Sequence, residues 1–205
     1  MKQVSIAAVL FLMTQSLHAE SITAHIAGGV SGGGGHVINP SLPETYQDPK
    51  QIEEMIKCTI KPVQAYLLKK HAEYQYGLLP ADQAKAFGKI FTAPKSIHEA
   101  FKKVKMDVPD EQSCFDYDNQ PVDGSIFHEN KRQVCISAKN IANKVRIDEV
   151  KAQSGALIIH EYSEIVGLNE DDAVELQKIS LEDFTKNPIK HHDDSKDDSH
   201  GSYNK

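Results

Sequence analysis

The chain has 205 residues, a formal net charge of −6 at pH 7 and no tryptophan. A mildly acidic chain without a basic stripe gives no reason to expect a nucleic acid or an anionic membrane surface as a partner. The length is sufficient for one domain with its own hydrophobic core, together with extensions at both ends.

Residues 1–19 follow the pattern of a secretory signal peptide. Lys2 supplies a positive charge, residues 4–13 are nearly all apolar, and Leu17-His18-Ala19 ends with a small residue at the expected cleavage position. The apolar run is short for a helix that spans a bilayer, and no longer apolar run follows it. We therefore expect cleavage after Ala19, a secreted or periplasmic location, and no membrane insertion after cleavage.

Residues 20–47 are rich in glycine and include an unbroken glycine run at 32–35. A phosphate-binding glycine loop needs a strand before it and a helix after it. Here the cleavage site precedes the glycines, and Pro40 and Pro43 follow them. The composition therefore predicts a flexible N-terminal arm.

A long helix is expected directly after this arm. Asp48 and Pro49 form the combination of N-cap and first-turn proline that begins many helices. Apolar residues then recur at helical spacing to about Tyr76. Pro62 predicts a kink or a restart within this helix.

The middle of the chain changes from helical to strand-like patterns. Two shorter helices are expected at 80–91 and 94–104, followed by short strand-like runs over 114–137 with a turn at Asp123-Gly124. The inward-facing residues expected in the two helices are Phe87, Ile90, Ile97 and Phe101.

The three cysteines are Cys58, Cys114 and Cys135. Export to an oxidising compartment predicts one disulfide and one odd thiol. Cys114 and Cys135 flank the strand-like region and are the preferred pair, although the sequence leaves the other pairings open. None of the three lies in a CxxC motif, so a thiolate metal site is not expected.

Helical spacing returns in the last part of the chain. From Asp148 it predicts one long, largely buried helix that ends at Gly167. Asn169 is the expected N-cap of a second helix, which covers Glu170 to about residue 184. Residues 187–205 carry histidine, aspartate, serine and lysine with almost no apolar residues, which predicts a disordered polar tail.

The long helix contains the pattern HExxExxGxxE. Residues four apart lie on one helix face, so His160 and Glu164 can reach one metal ion. Glu161 can direct a carboxylate at a metal-bound water, and the turn at Gly167 can bring Glu170 back as a third ligand. Three protein ligands with one open position form the arrangement of a catalytic zinc site.

This pattern resembles the zincin metallopeptidases, specifically the metzincin-type motif HExxHxxGxx(H/D). The resemblance implies that His160 is a zinc ligand, that Glu161 is the general base, and that Gly167 makes the turn to the third ligand. Glu164 stands where the family has its second histidine, and Glu170 stands where it has histidine or aspartate. The family's Met-turn has no counterpart, because no methionine follows position 106.

The chain is also similar to small uncharacterised exported bacterial proteins in which HExxHxxGxxE precedes an acidic run that ends in alanine. Asp171-Asp172-Ala173 matches that run, and it leaves Glu170 and Asp171 as alternative third ligands. Two glutamates and one histidine cancel the charge of a 2+ ion, and an oxygen-rich ligand set relaxes selectivity for Zn²⁺ toward harder ions such as Mn²⁺.

These observations predict an α+β fold: a mostly helical zincin-like domain at 48–186 with a small antiparallel sheet, and the motif on a long buried helix. The predicted function is an exported, zincin-like metal-dependent peptidase that hydrolyses peptide bonds through a metal-activated water, with a peptide or protein as substrate. The alternative is a catalytically impaired module that binds an envelope or extracellular protein. A third interpretation is a purely structural helical domain, in which the acidic residues after Gly167 only favour a helix N-terminus.

Overall fold

The computed structural model describes residues 34–127 and 132–190. The expected signal peptide, the expected arm up to residue 33 and the expected tail from residue 191 lie outside these residues. Within them the architecture is the α+β fold predicted from the sequence, mostly helical with a small sheet.

The described residues form six helices and six short strands. The helices are α1 (Pro49–Gln75), α2 (Ala81–Phe91), α3 (Ile97–Lys103), α4 (Ala138–Lys144), α5 (Val150–Val166) and α6 (Glu170–Lys186). The strands are β1 (Gly34–Gly35), β2 (Lys105–Asp107), β3 (Cys114–Phe115), β4 (Pro121–Val122), β5 (Gly124–Ile126) and β6 (Gln133–Ile136).

Four of the strands form one sheet in the order β1-β5-β6-β2. β1 with β5 and β5 with β6 are antiparallel pairs, whereas β2 and β6 are parallel. The sheet is therefore mixed rather than wholly antiparallel, because β2 approaches β6 from α3 and not from a hairpin. β3 and β4 form a separate antiparallel pair.

The disulfide joins Cys114 in β3 to Cys135 in β6, as predicted. It fixes the two-stranded pair to the main sheet. Cys58 on α1 is exposed and has a free thiol.

Helix α5 is the centre of the molecule. It contacts α1, α3 and α6 as well as strands β1, β5 and β6. Because neighbours cover nearly all of its sides, it has no broad polar face, and almost every residue of the helix is buried. The polar residues that it does bury therefore need a specific explanation.

Helix α1 runs through Pro62 without the restart that the proline predicts. The side chain of Asp48 accepts a hydrogen bond from the main chain of Lys50, which confirms the expected N-cap. Val63, directly after the proline, is fully buried. Packing of this face against α5 and α4 offsets the loss of one main-chain donor.

Residues 34–47 pack on the domain, in contrast to the flexible arm that their composition predicts. Gly34 and Gly35 pair with β5. The side chain of Gln153 donates to the carbonyl of Ile38 at 2.7 Å, and that of Gln47 donates to the carbonyl of Val145 at 2.6 Å. Composition alone does not reveal these partners, because they come from distant parts of the chain.

The connection between α5 and α6 matches the sequence prediction. Gly167 ends α5 with a φ of 109°, a left-handed conformation that glycine adopts without steric cost. The side chain of Asn169 accepts a hydrogen bond from the main chain of Asp172 and begins α6. This tight turn places the first residue of α6 beside the last turns of α5.

Within the described parts of the chain, no helix combines the length and the apolarity that a bilayer crossing requires.

Candidate metal centre

Three side chains from the predicted motif converge at the end of α5. His160 and Glu164 lie one turn apart on that helix, and Glu170 is the first residue of α6. One ligand atom from each lies within 4.8 Å of the other two. Of the two alternatives for the third ligand, Glu170 belongs to this group and Asp171 does not.

The spacing suits a single ion. Zn²⁺ binds nitrogen and oxygen ligands at about 2.0–2.2 Å in a tetrahedral arrangement, so two such ligands lie about 3.4 Å apart. Nε2 of His160 lies 3.6 Å from Oε2 of Glu170, close to that separation.

Several buried polar atoms in this group have no hydrogen bond. His160 is fully buried, and neither of its ring nitrogens has a hydrogen-bond partner. Oε2 of Glu164 and Oε2 of Glu161 are also buried without one. A buried polar atom without a partner costs about 1–3 kcal/mol, so several together need an explanation, and a bound cation provides one.

The cluster has an unusual affinity for protons. Burial acts to lower the pKa of His160, but the surrounding carboxylates of Glu170, Glu161 and Glu164 outweigh it and raise that pKa to about 9. Burial raises the pKa of Glu161 to about 8 and that of Glu164 to about 7. The pKa of Glu170 is lowered although burial opposes this, because His160 stabilises its charge. Loss of these protons would leave several negative charges close together, and a divalent cation can take the place of the protons.

Glu161 lies in a cradle formed by two glycines. The main-chain N–H of Gly35 in β1 donates to its Oε1 at 3.2 Å. A Cβ atom added to Gly35 would lie 2.8 Å from that oxygen, and one added to Gly124 in β5 would lie 2.5 Å from it. The carboxylate therefore occupies room that exists because both positions are glycine. Its exposed fraction is 0%.

A second cluster of polar residues, centred on Asp123, borders the candidate centre. The sequence did not predict it. Asp123, between β4 and β5, is fully buried and accepts from the N–H of Val37 at 3.0 Å and from Nζ of Lys144 at 2.7 Å. Nδ1 of His36 lies 3.4 Å from its Oδ2. Although burial opposes it, these partners lower the pKa of Asp123. The carbonyl of His36 accepts from the side chain of Gln177 in α6 at 2.7 Å.

The sequence contains little that could have revealed this second group. The glycine run at 32–35 has the composition of a linker, and Asp123-Gly124 has that of a surface turn. Their roles depend on pairing between β1 and β5, which are far apart in the chain. The histidines of the tail, at positions 191, 192 and 200, lie outside the described residues.

No family model, curated protein or solved structure matches this chain.

Proposed function

We propose that this protein is an exported, metal-dependent peptidase of the zincin type. In this proposal His160, Glu164 and Glu170 hold the ion, Zn²⁺ is the first candidate with Mn²⁺ as the alternative, and Glu161 is the general base. The observation that carries the proposal is the fully buried His160, whose ring nitrogens make no hydrogen bond and which shares a cluster of ligand atoms, all within 4.8 Å of one another, with the carboxylates of Glu164 and Glu170.

The residues have separate tasks in peptide hydrolysis. A bound Zn²⁺ would act as a Lewis acid toward water and a peptide carbonyl. Glu161 would accept a proton from the attacking water, and the N–H of Gly35 holds its carboxylate in one position for that task. Burial raises the pKa of Glu161 to about 8, so its environment favours the protonated form that this step produces.

Two features support export. Residues 1–19 have the pattern of a signal peptide, and the Cys114–Cys135 disulfide suits an oxidising compartment. We propose a secreted or periplasmic location and a peptide or protein as the partner at the site.

A second candidate function is a catalytically impaired module that keeps the ion for structural reasons. The observation that favours it is the cover over Glu161, whose carboxylate lies beneath Gly35 and Gly124 with no exposed surface. In this conformation a substrate cannot reach the base. Such a module would bind an envelope or extracellular protein through another surface.

Metal binding is the first test. The purified exported protein is stripped with a chelator and titrated with Zn²⁺ and Mn²⁺ in a calorimeter, with bound metal counted by elemental analysis. We expect one ion per chain for the wild type, loss of that ion in His160→Ala and Glu170→Gln, and retention in the matched control Asp171→Asn. A wild type that binds no more metal than His160→Ala contradicts the metal centre.

Turnover separates the two candidate functions. The metal-loaded protein is incubated with unfolded casein and with a mixed peptide library, and new amino termini are counted. Release that is absent from Glu161→Gln supports the peptidase. Full metal occupancy with no release from either protein supports the non-catalytic module.

A further inference from the structure

Two histidine rings from different helices meet at the surface, and neither belongs to the candidate metal centre. His71 lies on α1, and His98 is the second residue of α3. Nδ1 of His71 lies 3.1 Å from Nε2 of His98, and the centroids of the two rings are 5.2 Å apart. Two basic nitrogens therefore face the same small space.

Packing holds both rings in place. The centroid of the His71 ring lies 4.7 Å from that of Phe91 on α2, with an angle of 32° between the ring planes. Ile97, directly before His98, is only 3% exposed and anchors the first turn of α3 in the core. His98 itself is exposed and His71 is half-buried, so the pair is open to ions in solution.

The separation of the two nitrogens suits one transition-metal ion. Imidazole nitrogen binds such an ion at about 2.0–2.1 Å, so two nitrogens on one ion lie about 2.9 Å apart at a right angle and about 3.4 Å apart at the tetrahedral angle. The observed 3.1 Å lies between these two values. The distance therefore fits an ion that both rings coordinate.

Gln75, one turn after His71, can support the pair with or without an ion. Its side-chain nitrogen lies 3.3 Å from Nε2 of His71. When it donates to Nε2, the hydrogen of the ring lies on Nδ1 and joins the two histidines. When the amide turns over, its oxygen accepts from Nε2–H instead, and Nδ1 is free to bind an ion. An outer hydrogen bond of this kind is usual for a metal-bound histidine.

The chemistry of the two ligands selects the ion. Both are neutral nitrogens, and water would complete the coordination. Imidazole suits Cu²⁺, Ni²⁺ and Zn²⁺, with Cu²⁺ bound most tightly in this series, whereas Mn²⁺ and Mg²⁺ prefer oxygen. The candidate metal centre has two carboxylates and one histidine, so the two sites should differ in metal preference.

We propose that His71 and His98 form a second metal site, which binds Cu²⁺ in preference to Ni²⁺ and Zn²⁺ and joins α1 to α3. The site shares no residue with the candidate metal centre. It therefore does not depend on the proposed peptidase activity.

The test counts Cu²⁺ bound to the full exported chain by elemental analysis and measures its affinity by competition with a chromophoric chelator. The pH is about 7.5, where imidazole is ordinarily neutral. Every protein is loaded with Zn²⁺ first and carries Cys58→Ser, so that the exposed thiol cannot bind or reduce the ion. The variants are His71→Gln, His98→Gln and the two combined.

Three further variants serve as controls. His36→Gln removes another exposed histidine, which lies beside Asp123. His160→Ala removes the histidine of the candidate metal centre. A third control replaces the tail histidines at positions 191, 192 and 200 with asparagine.

We expect each single variant of the pair to bind one Cu²⁺ per chain fewer than the parent, with an affinity weaker by about tenfold or more for what remains. The combined variant should lose no more than either single variant, because the two rings hold one ion. All three controls should keep this ion, and Mn²⁺ should not displace it.

An equal Cu²⁺ count in the parent and the combined variant overturns the site. Losses that add in the combined variant would show two separate surface histidines and overturn the shared ion. Loss of the same ion in the tail variant, with none in His71→Gln or His98→Gln, would assign it to the tail instead. Loss of Zn²⁺ binding in the parent would contradict the candidate metal centre and leave the Cu²⁺ count of the pair to be read by itself.

Discussion

Glu161 is under opposing demands from burial and from chemistry. The role of general base that we propose for it requires loss of the proton at working pH, but full burial raises the pKa of this carboxyl to about 8. The N–H of Gly35 donates a hydrogen bond to Oε1 of Glu161 and partly offsets the cost of burying the charged form. Oε2 of Glu161 has no hydrogen bond. A nearby cation would lower the proton affinity of Glu161 and so couple metal loading to the readiness of the base.

The substitution Glu161→Gln separates these demands. Gln keeps the shape and can still accept from Gly35, but it cannot take a proton from water, so any hydrolysis should be lost while metal stays bound. The metal-free variant should also be more stable than the wild type at about pH 8, by on the order of 1–3 kcal/mol, because one buried negative charge is gone. Urea unfolding and metal analysis check both outcomes. Unchanged hydrolysis would exclude Glu161 as the base.

Glu164→His tests whether His160 and Glu164, one turn apart on α5, face one ion. The change restores HExxH, replaces a charged ligand with a neutral one, and makes the centre more positive. We expect Zn²⁺ affinity to rise relative to Mn²⁺ by about tenfold or more, since imidazole suits zinc better than manganese. Competition titrations with a chromophoric chelator measure the ratio. If neither metal content nor hydrolysis changes, His160 and Glu164 do not face a common ion.

Gly124→Ala tests the cradle around Glu161. The backbone of Gly124 is not left-handed, so alanine is allowed there, but its Cβ would lie 2.5 Å from Oε1 of Glu161. We expect a loss of about 1–3 kcal/mol in the free energy of unfolding. In the double variant Glu161→Ala/Gly124→Ala the new methyl group no longer meets Oε1 of Glu161. The loss of stability in the double variant should therefore differ clearly from the sum of the losses in the two single variants. Additive losses would show that the methyl group strains another contact.

At the scale of elements, the junction between α5 and α6 lies beside a cluster of side chains whose pKa values are shifted from their ordinary values. His160, Glu161 and Glu164 have higher pKa values in the folded protein than in the unfolded chain, so the folded state binds their protons more tightly. The stability that this binding contributes is fully present below the unfolded-state pKa of each group. It is lost as the pH rises through the folded-state pKa. The lowered pKa of Glu170 acts in the opposite sense, but only at more acidic pH.

The metal-free protein should therefore lose stability as the pH rises from about 5 to about 9. Zn²⁺ should raise the Tm most at the upper end of this range, because protons compete with the ion for the same groups. Thermal unfolding at several pH values, with and without Zn²⁺, provides the check, and His160→Ala is the control for non-specific effects. A metal-free Tm that climbs over this range would contradict the pKa shifts.

Local patterns predicted the long elements well, because their signals lie within the element. The N-cap Asp48, the stop at Gly167 and the N-cap Asn169 all occur where expected. The spacing within α5 also predicted that His160 and Glu164 share a face, since one helix turn fixes it. These parts of the fold and of the site depend on residues close together in the chain.

The parts that sequence could not predict depend on distant partners. β1 has two glycines and no hydrophobic pattern, so only its pairing with β5 makes it a strand. The same holds for β2, a three-residue strand that pairs with β6. His36 and Asp123 look like a linker residue and a turn residue until the fold brings them together.

At the scale of the whole molecule, the disulfide ties the β3–β4 pair to the central sheet. Replacing Cys114 and Cys135 together with serine should cost about 2–4 kcal/mol in the free energy of unfolding. The matched control Cys58→Ser should change stability by less than about 0.5 kcal/mol, because that thiol is exposed. Titration of unfolded, unreduced wild type should find about one thiol per chain. Three thiols would show that the bridge does not form in the protein as isolated.

The short strand β1 places an early part of the chain against a late one. Gly35 and Glu161 are 126 positions apart, and His36 and Gln177 are 141 positions apart. Contacts across such separations form slowly, because a long loop must close before they are gained. On the proposed export route the N-terminal end emerges first and must wait for α5 and α6. Glu161 would then acquire its glycine cradle only after nearly the whole polypeptide has crossed, so the candidate centre would be among the last parts of the domain to reach its final form.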